Sequence, residues 1–277
     1  MRLRGVRGSR NIEDRRRMGG GGKAGIGGVG LLVVLAIGYF TGIDITPVLN
    51  QLPQQQSTPR EPTAGEERAA EFSAQVLATT ETVWERIFPE QVGKDYTPPV
   101  MVLYSGVTQS QCGGASGATG PFYCPADNKA YLDTDFFATL EQQLGAKGDF
   151  AAAYVIAHEV AHHVQNELGI LGKVNQMRQS ASEREANALT VRLELQADCL
   201  SGVWAQSVQG MLEPGDVDEA LNAAKRIGDD YLQKRAGRVP QPHTFTHGTS
   251  AQRSSWFAKG YESGQMESCD TFGAAEL

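Results

Sequence analysis

Apolar positions recur along this chain in different rhythms, and each rhythm predicts a different element. From Ala24 to Ile43 twenty residues pass without a charge, with Leu31-Leu32-Val33-Val34-Leu35-Ala36-Ile37 at their centre. At 1.5 Å per residue such a helix is about 30 Å long, the thickness of a bilayer's hydrocarbon core. Short runs at Val100 to Tyr104 and Lys129 to Leu132 predict strands, the second after an Asp127-Asn128 turn. From Asp149 the segment Phe150-Ala151-Ala152-Ala153-Tyr154-Val155-Ile156-Ala157 is apolar, alanine-rich and free of glycine and proline, which predicts a buried helix. Further helices are expected from about Glu66 to Phe88, from a capping box at Ser182 and Glu185, and from Val217 to about Lys234, opened by Asp216 with Glu219. Few strands and dominant helices make the fold class α+β, mainly helical with a small β-sheet.

Polar residues enter the buried helix as His158-Glu159-Val160-Ala161-His162. Residues four apart lie on one helix face, so both histidines can aim a ring nitrogen at one metal ion. Glu159 projects about 100° round the helix, where its carboxylate can take a proton from a water in the metal's open position. Glu194, in Glu194-Leu195-Gln196-Ala197-Asp198, is the expected third ligand, with Asp198 one turn on accepting a hydrogen bond from the far nitrogen of a ligating histidine. Val191, Ser201, Gly202 and Ala205 on that face are small enough to let the two metal helices approach closely. His163 points away from the shared face and is expected to be structural or to line a polar surface. Two histidines and one glutamate leave a coordination position for water, the arrangement of a catalytic zinc.

Charge is divided unevenly. Residues 1–23 carry eight Lys or Arg against Glu13 and Asp14, a net of +6, and the remainder carries −13 of the total −7. A basic leader before an apolar stretch suggests a membrane and not nucleic acid. The expected organisation is a basic, disordered cytoplasmic leader at 1–23, a single transmembrane helix at 24–43, a Pro/Gln-rich spacer at 44–65 and a metallopeptidase domain at 66–277. The apolar run is long for a cleaved signal peptide and no small-x-small cleavage site follows it, so a retained anchor is expected. Cys112, Cys124, Cys199 and Cys269 all fall on the extracytoplasmic side of this scheme, where thiols oxidise. Of three possible connectivities, Cys112 with Cys124 and Cys199 with Cys269 are expected.

The chain resembles the bacterial membrane-anchored putative neutral zinc metallopeptidase family. The likeness rests on Asn11-Ile12-Glu13-Asp14-Arg15-Arg16, Gly120-Pro121-Phe122-Tyr123-Cys124-Pro125, the two metal-helix motifs, and Thr246-His247-Gly248-Thr249-Ser250 with Arg253. It implies a zincin-like, gluzincin-type peptidase with His158, His162 and Glu194 on the zinc ion and Glu159 as general base. Thr246-His247-Gly248 is similar to a threonine-histidine-proline segment of membrane zinc peptidases, with glycine standing for proline. His247 is expected to donate a hydrogen bond to the oxyanion of the attacked carbonyl.

The function these readings imply is an endopeptidase, anchored through the lipid bilayer and acting on protein or peptide substrates outside the cytoplasm. Substrate is expected to add to a sheet edge at Ala130-Tyr131-Leu132. A non-catalytic metal-binding scaffold and a zinc amidase acting on cell-wall peptides are the competing classes. Retention of Glu159 beside the metal counts against the first.

Overall fold

The computed structural model describes residues 1–18, 61–116 and 119–277. The expected transmembrane helix at 24–43 and nearly all of the expected spacer lie outside these residues. Among the described residues no helix is long and apolar enough to cross a membrane.

A four-stranded sheet has the order β1 (Ile12–Asp14), β2 (Val100–Tyr104), β6 (Lys129–Asp133), β5 (Phe122–Cys124). β1, β2 and β6 run parallel, and β5 pairs antiparallel with β6. β3 (Val107–Ser110) and β4 (Gly113–Ser116) form a separate hairpin. The sheet corrects two expectations. The leader is not a disordered tail, because its residues 12–14 supply a strand of the domain's own sheet and its Leu3 is buried in the main core. Nor is Ala130-Tyr131-Leu132 an edge, since β6 lies between β2 and β5.

α1 (Ala64–Ile87) begins at a complete capping box made by Thr63 and Glu66. After α2 (Phe136–Gln142), the buried helix predicted from its alanines is α3 (Asp149–Glu167). It is followed by α4 (Ile170–Gln179) and by α5 (Glu183–Ser207), which starts at the expected Ser182–Glu185 box. Phe150 of α3 stacks on Trp204 of α5, ring centroids 5.6 Å apart, and both are fully buried. Burying a large apolar side chain contributes roughly 1.5–3 kcal/mol, so this contact helps lock α3 against α5.

The single helix expected from Val217 to Lys234 is two helices, α6 (Asp216–Arg226) and α7 (Asp229–Arg235). Gly228 breaks them apart where the chain passes under α8 (Ser250–Ser263): a Cβ there would stand 2.4 Å from the backbone nitrogen of Ser250. The Asp216–Glu219 pair does not cap α6 either, because the Glu219 carboxylate accepts from Phe150 N at 3.0 Å and Asp216 accepts from Glu213 N at 2.8 Å. Gly202 serves a different crossing from the one expected. A Cβ on it would meet Phe257 O at 2.1 Å, and one on Gly260 would meet Cys199 O at 1.8 Å, so these glycines let α5 and α8 touch backbone to backbone. Both expected disulfides are present: Cys112–Cys124 ties the β3–β4 hairpin to β5, and Cys199–Cys269 ties α5 to the carboxy-terminal segment.

Candidate metal centre

α3 carries His158 and His162 one turn apart, with ring centroids 4.8 Å from each other. α5 crosses beside them and brings Glu194, whose Oε2 is 3.1 Å from His158 Nε2 and whose Oε1 is 3.5 Å from His162 Nε2. Tetrahedral bonds of about 2 Å set ligand atoms roughly 3.3 Å apart, so the distances from Glu194 to each histidine suit a shared ion, and one ligand atom of each group lies within 4.8 Å of the others. Two imidazoles and a carboxylate are a donor set that suits zinc.

An oxygen acceptor lies close to the far nitrogen of each ring, within hydrogen-bond geometry for His162 and by proximity alone for His158. His158 Nδ1 lies 2.9 Å from Asp198 Oδ1, and His162 Nδ1 lies 2.9 Å from Gln165 Oε1. Gln165 is fixed in that sense because its amide nitrogen donates to Leu193 O at 2.8 Å and to Gln196 Oε1 at 3.1 Å. With the ring protons on Nδ1, both Nε2 atoms are free to act as ligands. Gln165 was not anticipated, although its place three residues after His162 puts it within reach on the same helix.

Asp198 itself is fully buried and accepts hydrogen bonds from two other side chains. Arg253 of α8 donates Nε to Oδ2 at 2.8 Å and Nη2 to Oδ1 at 2.9 Å, and the Tyr154 hydroxyl donates to Oδ1 at 2.5 Å. Burial alone would raise the Asp198 pKa, but Arg253 and His158 outweigh it and hold the carboxyl below its ordinary range. Burial likewise opposes a charge on His158, yet Asp198 and Glu194 push its pKa up to about 10, so a metal binding at Nε2 would have to displace a proton there. For Glu194, burial is overcome by His162 and His158, and the carboxylate is held ionised. Glu159 differs: burial dominates and raises its pKa, which makes it a stronger proton acceptor than a solvated glutamate. His163 is structural, as expected, with Tyr123 donating to its Nδ1 at 2.9 Å and its Nε2 donating to Thr97 O at 2.6 Å.

His158, Glu159, His162 and Glu194 line a cleft of about 480 Å³. Phe122 and Tyr123 of β5, Arg253 and His247 line it as well. The histidine is placed by Asp229, whose Oδ2 accepts from the backbone nitrogens of Thr246, His247 and Gly248 at 2.8, 2.6 and 3.0 Å while Oδ1 lies 3.3 Å from His247 Nδ1. This explains glycine at 248. Its φ of +90° and its donated N–H are both denied to proline. Burial lowers the His247 pKa, but Asp229 more than reverses it, and the net shift is upward. Asp229 had no local signal in the sequence.

The family model described as putative neutral zinc metallopeptidase matches residues 1–272. The chain belongs to that family. Among its relatives, the uncharacterized protein YpfJ of Escherichia coli (strain K12) is 50% identical over 287 residues, covering 99% of each chain. The uncharacterized protein Rv2575 of Mycobacterium tuberculosis (strain H37Rv) is 46% identical over 218 residues, 73% of this chain and 71% of that one. No solved structure matches. For a member of this zinc metallopeptidase family, the metal is implied by the family as well as by the donor geometry.

Proposed function

We propose that this member of the family is an endopeptidase that uses His158, His162 and Glu194 to hold zinc and Glu159 to move the proton. The observation that carries the reading is the grouping of these three ligands in the lining of an open cleft that Glu159 also lines. Zinc bound there would polarise the scissile carbonyl and make an attacking water acidic. Glu159 accepts the water's proton and passes it to the leaving amine. His247, held by Asp229, donates to the oxygen that gains negative charge.

β5 supports a peptide substrate in preference to a compact one. It is the sheet edge at the cleft, and an extended peptide can add to it as a further strand with its side chains meeting Phe122 and Tyr123. The two disulfides support a location outside the cytoplasm.

The test is hydrolysis by the full chain with unfolded casein and with cell-wall fragments, beside its Glu159→Gln variant. Casein cleavage that the variant loses by roughly 10²–10⁴-fold is the expected result. Cleavage of wall fragments alone would make the protein an amidase. No cleavage of either by zinc-loaded protein would leave a metal-binding scaffold.

A further inference from the structure

Residues 1–18 are bound into the domain by specific contacts. β1 runs beside β2 in the register Ile12↔Met101, Glu13↔Val102 and Asp14↔Leu103. Outside that register, Met101 N donates to Asn11 O at 2.8 Å and Arg15 N donates to Leu103 O at 2.7 Å. Ser9 Oγ and Asn11 Nδ2 both donate to Glu81 of α1, at 2.6 and 2.7 Å. Glu13 accepts from Lys129 of β6 at 2.6 Å. Where the described chain breaks, Arg17 and Glu61 form an ion pair at 3.2 Å, so it leaves and re-enters the domain at neighbouring points.

We infer that residues 1–18 lie on the same side of a membrane as residues 61–277, and that the apolar stretch at 24–43 does not separate them. Paired strands sit about 4.8 Å apart, whereas a bilayer's hydrocarbon core is about 30 Å thick; β1 and β2 cannot pair across it. A single crossing between residues 18 and 61 is incompatible with that pairing.

Some of the arginines that argued for a cytoplasmic leader make contacts within the domain. Arg2 donates to Gly210 O at 3.0 Å, and Arg15 donates to Glu13 at 2.7 Å and to Gln109 O at 2.8 Å. Arg16, only 5% exposed, donates to Asp14 at 2.6 Å, to Glu66 O at 2.9 Å and to Glu67 at 3.2 Å. Arg15 and Arg16 thus have their charge paired with Glu13 and Asp14 of the same strand, so part of the leader's basic character is neutralised within the fold.

Two exposed positions test this in the full chain, Arg4 in the leader and Met177, 52% exposed, in α4. The native cysteines are all in disulfides, so R4C and M177C each add one reactive thiol. A membrane-impermeant maleimide applied to sealed vesicles of known orientation should label both variants from the same face and to the same extent. Labelling of the two from opposite faces would overturn the inference. Strand pairing is tested separately by charge exchange. E13K should lower the midpoint of thermal unfolding and E13K/K129E should recover at least half of that loss, whereas strictly additive losses would refute the pairing. Neither readout involves hydrolysis, so failure here is distinct from failure of the peptidase reading.

Discussion

Asp198 and Asp229 each orient a histidine at the cleft, but in opposite surroundings. Asp198 has no exposed surface, and its partners are side chains from two other helices: Tyr154 and His158 of α3 and Arg253 of α8. Asp229 sits at the start of α7, slightly exposed, and is satisfied mainly by three consecutive backbone amides of one loop, while its imidazole partner is half exposed. A buried carboxylate shared by several helices couples the metal ligand to the whole core, because loss of one partner strands a charge with no water to solvate it. A carboxylate served by local amides keeps its own charge satisfied when the histidine is lost. The first arrangement ties metal binding to stability; the second lets turnover change while stability stays nearly constant.

The largest effect should come from Arg253→Met, which leaves the Asp198 charge buried and without its arginine. A loss of about 3–5 kcal/mol is expected in urea unfolding. Adding Asp198→Asn to it should restore part of that loss, because the stranded charge is gone. If the double variant were as unstable as the sum of the single ones, the coupling argued for Asp198 would not exist.

Next in size is His247→Ala. Turnover should fall roughly a hundredfold, as it does when one donor to a developing oxyanion is removed. Zinc content should not move, and the unfolding midpoint should fall only by the small amount that the exposed pairing with Asp229 contributes. Loss of zinc, or a fall in stability as large as that of Arg253→Met, would mean that the loop histidine belongs to the same structural network as Asp198.

Asp229→Asn should have the smallest effect and the most particular one. Asp229 raises the His247 pKa above the ordinary imidazole value of 6.5. The stabilisation from this pairing is therefore complete below the unfolded pKa and is lost as pH rises through the raised folded value. With the amide in place the folded pKa drops, and the alkaline limb of the kcat/KM profile should move to lower pH. An unchanged alkaline limb would remove His247 from that part of the profile.

The same contrast accounts for what the sequence disclosed. His158, Glu159, His162, Glu194 and Asp198 are related by helical spacing within two continuous segments, and spacing on a helix is a local property. Gln165 and Tyr154, three residues after His162 and four before His158, carry the same signal and were there to be found. Arg253 was visible as part of a resemblance, but nothing local connects it to Asp198, since that contact depends on how α8 crosses α5 through Gly202 and Gly260. Asp229 is further from reach: it meets His247 only because Gly228 ends α6 and the chain turns beneath α8. β1 was hidden for another reason. Three residues, two of them acidic, make no strand pattern alone, and the arginines around them resemble a topology signal until their partners are known.

The convergence of His158, His162 and Glu194 on one ion underlies the account of both aspartates. Elemental analysis of the purified full chain beside its His162→Ala variant tests it most directly. The wild-type chain should hold one equivalent of zinc, and the variant, still folded by thermal unfolding, should hold almost none. A full equivalent of zinc in the variant would show that the metal lies elsewhere and would contradict the assignment.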